Sequence, residues 1–324
     1  LTNSQESTVA SSKDVSAGHS ELPKRTWWSA FKRTVGGVSD NTLTDHAAAL
    51  TYYGILSIFP GLLAAVALIG LAGDNAVNTI LDNVSQLPPG AVQDILTSAV
   101  RNLEGSSSTA GVLGIISIVI AWWSASGYVA AFMRASNAIY HVGEGRPFWK
   151  TAPLRLAITL FAAVILLVAV VLVVLTGGLA DQVGSSLGLG SSLVTAWDIA
   201  KWPVLVLAIS LLFAVLYWAS PNVRHGGFRW LTPGSVLAVV IWLVVSAGFA
   251  FYVANFGSYN KTYGTLATPI VFLIWLWLTN VAVLLGAQFN AELERGREIV
   301  AGRSDGDDEP YLEPRDTSNL DDAS

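Results

Sequence analysis

The sequence predicts an all-α fold, a polytopic membrane protein with six transmembrane helices and an external amphipathic helical hairpin. Three observations predict it. Of the 324 residues 52% are hydrophobic and only 13% charged, with a mean hydropathy of +0.53, whereas a soluble domain carries about 25% charged residues. Six apolar runs free of Lys, Arg, Asp, Glu and His each have roughly the length a bilayer core requires. Finally, 15 of the 18 basic residues fall on alternate connections between those runs, and only Arg101, Lys201 and Lys261 on the others. The formal charge of −5 belongs to the C-terminal end, because eight of the 23 acidic residues follow Gly302.

Taken in order, residues 1–22 are Ser-rich and lack aromatics, which predicts a disordered tail. The first apolar run begins too late for a cleavable signal peptide. Residues 23–46 predict a cytoplasmic interfacial amphipathic helix. Trp27, Trp28, Phe31 and Val35 share one side, with Lys24, Arg25, Lys32 and Arg33 around them. A solvated helix packed on the bundle accounts for the same pattern equally well. The membrane domain, 47–297, follows with spans at 47–71, 110–133, 156–180, 202–220, 230–254 and 266–289. Basic connections face the cytoplasm, so both termini are predicted there, in a multi-pass protein of the cell membrane.

The first external connection carries the predicted hairpin, 74–109. Val77, Ile80, Leu81 and Val84 recur at helical spacing, as do Val92, Ile95, Leu96, Val100 and Leu103, and Pro88-Pro89-Gly90 separates the two runs. The second, Asp181 to Lys201, is rich in Gly and Ser and reads as flexible. The third is so short that spans five and six must be antiparallel neighbours. Residues 298–324, acidic and Pro-containing, predict a disordered cytoplasmic tail.

Inside the spans the candidates for function are small and neutral. Pro60 in span one removes a backbone donor and predicts a kink near Ser57. Ser124 and Ser126 lie beside Trp122 and Trp123, Ser246 lies in span five, and Thr279 and Asn280 lie in span six. An amide such as Asn280 needs a partner, because lipid offers none. Such groups serve as interhelical glue worth about 0.6 kcal/mol per bond, or they line an uncharged polar cavity. Tyr259, Asn260 and Tyr263, with Asn255 and Lys261, form an outer cluster that suits a headgroup or solute, or equally an aromatic belt with a tight turn. The cavity candidates are therefore Ser57, Pro60, Ser124, Ser126, Tyr259, Asn260, Tyr263 and Asn280.

Several classes find no residues to carry them. No span holds a carboxylate or histidine, which disfavours a buried proton relay. Cysteine is absent, so there is no thiol nucleophile and no Cys-based metal site. His46, His141 and His225 fall on the cytoplasmic side without metal-ligand spacing, and no P-loop, GxSxG or dinucleotide fingerprint occurs. No catalytic residue, metal or cofactor is predicted. The partners predicted are membrane lipids and a lipid or small-solute substrate, with no nucleic acid. A non-transporting scaffold or envelope-integrity factor is the competing reading.

The blocks AALTYYGILSIFP at 48–60, RPFWK at 146–150, YWASPN at 217–222, FGSYNKTYGTL at 256–266 and LLGAQFNAEL at 284–293 resemble the YihY/virulence factor BrkB family. The likeness covers roughly residues 25–297. It implies six spans with cytoplasmic termini, and transport or lipid handling as an expectation from that architecture. The family once carried a ribonuclease BN label. Nothing in these residues supports it: there is no acidic metal cluster and no aromatic-basic RNA face. No catalytic residue carries over.

Overall fold

The computed structural model describes residues 23–40, 42–71, 110–174, 191–225, 227–255, 267–302 and 312–320. Seven α-helices follow one another in them. They are α1 (Lys24–Asp40), α2 (Leu43–Leu71), α3 (Ala110–Ile139), α4 (Phe148–Val174), α5 (Ser191–Ala219), α6 (Pro233–Asn255) and α7 (Ala267–Val300). No strand forms among the described residues, so the all-α class holds. Four helices contain stretches long and apolar enough to cross a membrane among those residues: Phe148–Ala169, Thr195–Ala219, Pro233–Val253 and Pro269–Val300. The predicted hairpin at 74–109 and the tail at 1–22 lie outside the described residues.

Most helices overrun the apolar runs that announced them. α3 continues past 133 to Ile139, α4 begins at Phe148 rather than 156, and α7 runs to Val300 rather than 289. Apolar runs mark only the length that lipid covers, while a helix also persists where water or headgroups solvate its sides. The clearest correction concerns the connection read as flexible up to Lys201. Residues 191–201 are the first three turns of α5, and Lys201 is buried with its ammonium 5.9 Å from the Trp202 ring.

α7 organises the bundle, meeting α1, α2, α3, α5 and α6, while α4 packs between α3 and α5. The core sits where these helices converge and includes Leu50, Val129, Phe132, Ile139, Tyr217 and Leu284. Phe132 and Phe213 each stack with the Tyr217 ring, at centroid distances of 6.2 and 6.1 Å, and the Tyr217 hydroxyl donates to the Val283 carbonyl of α7 at 2.7 Å. The outward faces carry Leu160, Val164, Leu167, Leu207, Val244 and Phe251, all exposed. A soluble surface would hide such residues, and an acyl phase accepts them.

α1 reconciles its two readings. Ala30 and Thr34 are buried, and Trp27 lies 6.1 Å from Phe289 on α7. On the other side Trp28, Phe31 and Val35 stand exposed, with the Lys32 ammonium over the Trp28 ring. One stripe packs on the bundle and the next faces outward. The helix ends at Asp40, and residues 43–46, read as its continuation, form the first turn of α2.

α6 and α7 approach unusually closely. A Cβ on Gly286 would meet the Gly234 carbonyl oxygen at 2.5 Å and Ala238 Cβ at 2.7 Å, and a Cβ on Gly234 would meet the Gly286 carbonyl at 2.1 Å. Small residues are what let membrane helices touch through their backbones. The start of α6 is fixed in the same place. Thr232 and Ser235 each accept the other's backbone N–H at 3.1 Å, a reciprocal cap. The Gly234 N–H donates to Asn290 Oδ1 on α7 at 2.8 Å.

The tail requires a second correction. Residues 298–300 continue α7, and residues 312–320, expected to be disordered, are docked on the bundle. Val223 and Pro314 form an isolated antiparallel bridge. The Arg224 N–H donates to the Glu313 carbonyl at 3.0 Å and the Arg315 N–H to the Asn222 carbonyl at 2.9 Å. Acidic composition predicted disorder because few side chains can be buried, but this segment is held mainly through its backbone.

Candidate functional site

A line of neutral polar groups crosses the bundle at the depth of Asn280. This side chain is buried, and it lies about 21 Å along α7 from Glu294 at a rise of 1.5 Å per residue. Tyr128 on α3 donates its hydroxyl to Asn280 Oδ1 at 2.7 Å. Asn280 Nδ2 donates to Thr51 Oγ1 on α2 at 3.0 Å, and the Thr51 hydroxyl donates to the Ala47 carbonyl at 2.8 Å. Three helices are joined by one amide. Beside it, Thr279 Oγ1 is buried and has no hydrogen-bond partner. The residues so joined include no carboxylate or cation, and the hydroxyl of the next residue on α7, Thr279, is unused.

The other sequence candidates are scattered. The Ser57 hydroxyl donates to its own helix at the Gly54 carbonyl, 2.7 Å away, and Ser126, fully buried, donates to the Trp123 carbonyl at 2.6 Å. Ser124 is half-buried on α3. Ser246 accepts from Trp275 Nε1 at 3.2 Å, joining α6 to α7. Position 60 lies within the continuous helix α2, but the Pro60 ring is outside the described side chains. Tyr259, Asn260 and Tyr263 lie outside the described residues. Thr51 and Tyr128 were missed: each reads as an ordinary residue in an apolar run, and only the demand of Asn280 for a partner hints at them.

At the opposite, basic end of the bundle a charged network joins the loops. Glu144 receives Arg146 Nε at 2.7 Å and Nη2 at 2.8 Å. The same buried guanidinium donates to the Ala219 and Ser220 carbonyls. Asn137 donates to Glu144 at 3.0 Å and accepts the Asn222 N–H at 2.7 Å. Arg146 and Asn222 belong to the blocks RPFWK and YWASPN, now seen to be in contact. Nearby, the Arg33 guanidinium on α1 pairs with Glu292 of α7, and Glu294 receives the Tyr140 hydroxyl at 3.1 Å and faces His225 Nδ1 at 3.1 Å.

His141, with φ 54°, ends α3 in a left-handed turn. The Val142 N–H reaches the Asn137 carbonyl and the His141 N–H the Ala138 carbonyl, the two bonds of a Schellman cap. His46 sits in the first turn of α2. Each histidine thus has a separate local setting, and among the described residues no three His, Asp or Glu side chains converge to hold a metal.

Between α1, α6 and α7 at this end lies a groove of about 610 Å³. Trp27, Val236, Leu237, Val240 and Phe289 supply apolar walls, with Arg229 and Thr232 as the polar residues. Such a slot matches an amphiphile better than a freely soluble ion.

Comparison with known proteins agrees with this architecture. A family model described as virulence factor BrkB matches residues 34–310. A Bacillus subtilis protein named ribonuclease-like, YfkH, is 29% identical over 82% of this chain and 93% of its own length. A UPF0761 membrane protein of Alteromonas mediterranea is 28% identical over 78% of this chain and 84% of its own. A UPF0761 membrane protein of Xanthomonas campestris is 27% identical over 80% of this chain, which spans 59% of that relative. No solved structure matches significantly.

Proposed function

The chain belongs to the virulence factor BrkB family of membrane proteins, and from that premise we propose that it binds or translocates a lipid or small solute. On this reading six helices cross the cell membrane, with both termini cytoplasmic, and the ligand follows an uncharged polar seam between α2, α3 and α7. The observation that carries the proposal is the seam itself: buried Asn280 and Thr51 bonded in line with half-buried Tyr128, and the hydroxyl of Thr279, next to Asn280 in the chain, unpartnered. A buried hydroxyl without a partner costs about 1–3 kcal/mol, a cost removed when a ligand or water bonds to it. The groove beside Arg229 favours an amphiphile as the ligand. In this reading no group performs a reaction; the ribonuclease-like name is that of the Bacillus relative, and among the described residues no His, Asp or Glu cluster could hold a metal.

The experiment is a replacement at Thr279. Thr279→Val keeps the shape and breaks no bond within the protein, and by removing an unpaired buried hydroxyl it should raise stability by up to about 1–3 kcal/mol. Lipids and solutes co-purified with the parent are identified by mass spectrometry and then assayed for retention or flux in vesicles. A fall of threefold or more in Thr279→Val, with the unfolding temperature raised and not lowered, is the expected result. Full retention in both Thr279→Val and Asn280→Leu would refute the seam as a path.

A second reading, a scaffold or envelope-integrity factor, is favoured by the completeness of the Asn280 bonds and by the docking face at the basic end. A scaffold deleted of residues 76–104 loses a partner on pull-down, while a conduit so altered still binds its ligand.

A further inference from the structure

Gly143–Lys150, the loop before α4 with its first turn, and Tyr217–Arg224, the end of α5 with the loop after it, form a surface whose own bonds do not involve the tail. Arg146 ties the first loop to the Ala219 and Ser220 carbonyls, and Asn137 holds the Asn222 backbone. On this frame Asn222, fully buried, presents its side-chain amide edge-on. It donates to the Asp316 carbonyl at 2.8 Å and accepts the Asp316 N–H at 3.1 Å. The pair reproduces the exchange that one β-strand residue makes with its neighbour, so it reads peptide backbone rather than sequence.

Further groups read side chains. Lys150 pairs with the Asp316 carboxylate, and the Arg315 guanidinium lies 5.4 Å from the Trp218 ring centre and bonds the Trp218 carbonyl. Asn319 donates its side-chain N–H to the Arg146 carbonyl at 3.2 Å and its backbone N–H to the Gly145 carbonyl at 3.0 Å. Leu312 packs on the core, and Leu320 lies against Gly143.

We propose that this surface is a peptide-recognition site, filled here by residues 312–320 as a detachable ligand, and that it accepts the same segment in trans. Three observations support this. The receptor is assembled by bonds of its own. The contact is small and half-solvated: Lys150 is 55% exposed, and the Arg224–Glu313 pair is 66% and 81% exposed. Finally, the family match stops at residue 310, before the docked segment, while both receptor loops lie inside it. The matched region therefore contains the receptor segments and not the occupant. A nine-residue segment is fewer than half of the roughly 20–30 residues a side that a standard interface engages. A short tether supplies an effective concentration on the order of millimolar. Weak intrinsic affinity and that tether together leave the segment docked yet exchangeable.

Two glycines make the test specific. A Cβ on Gly145 would sit 1.9 Å from the Asp316 carbonyl oxygen, where backbone cannot yield, whereas a Cβ on Gly143 would meet only the mobile end of Leu320. A protease site is placed between residues 303 and 311 of the full chain, which is folded in detergent and then cleaved. The released fragment is expected to separate on gel filtration. A fluorescent peptide of residues 311–322 is then expected to rebind saturably, at least tenfold more weakly to Gly145→Ala and within twofold of the parent to Gly143→Ala. The proposal is overturned if the fragment stays bound after cleavage, if the peptide fails to rebind, or if the two glycine variants bind it alike.

Discussion

Replacing Asn280 by Leu removes two interhelical hydrogen bonds at once, one to Tyr128 and one to Thr51. Measured bonds of this kind between membrane helices average about 0.6 kcal/mol and reach about 1.7, so the pair is worth about 1.2 kcal/mol. Leucine recovers little, because lipid is as apolar as its side chain and no hydrophobic gain accompanies the swap. Tyr128→Phe removes one of the two bonds and should cost about 0.6 kcal/mol. In the double variant Asn280→Leu/Tyr128→Phe the tyrosine bond cannot be lost twice, so the total should stay near that of Asn280→Leu alone. A double-mutant cycle on unfolding in detergent, followed by tryptophan fluorescence, should therefore give a coupling of about 0.6 kcal/mol. Strict additivity of the two single effects would refute the bond between α3 and α7. A gain of stability in Asn280→Leu would refute the argument that this amide holds three helices together.

Other outcomes follow from the same geometry. Gly286→Ala forces a methyl onto the Gly234 carbonyl and should cost about 1–3 kcal/mol as overpacking, read as a lowered unfolding temperature; an unchanged value would show that α6 and α7 are not in backbone contact. Lys150 and Ser318, bonded to Asp316, hold its carboxyl well below the usual carboxylate range. Ionised Asp316 therefore favours docking above its ordinary value of 3.8, and that support disappears as the pH falls below it. A spin label at Thr317→Cys should become mobile between pH 4 and lower values, and Asp316→Asn should abolish the transition. Because the native chain has no cysteine, single cysteines also test orientation: an impermeant maleimide should label Ser107→Cys in intact cells and Ser12→Cys only after permeabilisation.

Helices were legible in this sequence because the solvent that selects them is uniform. A run such as Leu156–Val174 announces itself by what it lacks, and the basic residues around it sort the ends. Helix termini were less legible, since residues such as Ser191 to Lys201 begin a helix before the apolar signal starts. The need of Asn280 for a partner was also readable, but Thr51 and Tyr128 were not, because spacing along one helix carries no address on another. Least legible was the docked segment. Its charge and proline suggest a free chain, and the feature that captures it is the amide of Asn222, one residue in a loop whose recognition works through main-chain atoms.

The contact of Gly234 with Gly286 limits how such a bundle can change shape. Two helices joined backbone to backbone, and pinned by Asn290 at one end, cannot part without losing that seat entirely. Both contacts involve the first turn of α6, so this end of the pair is the point about which the two helices would pivot. A gap opened at that seat would sacrifice a backbone contact, whereas one on the flank where α2 and α3 meet α7 would break side-chain hydrogen bonds instead.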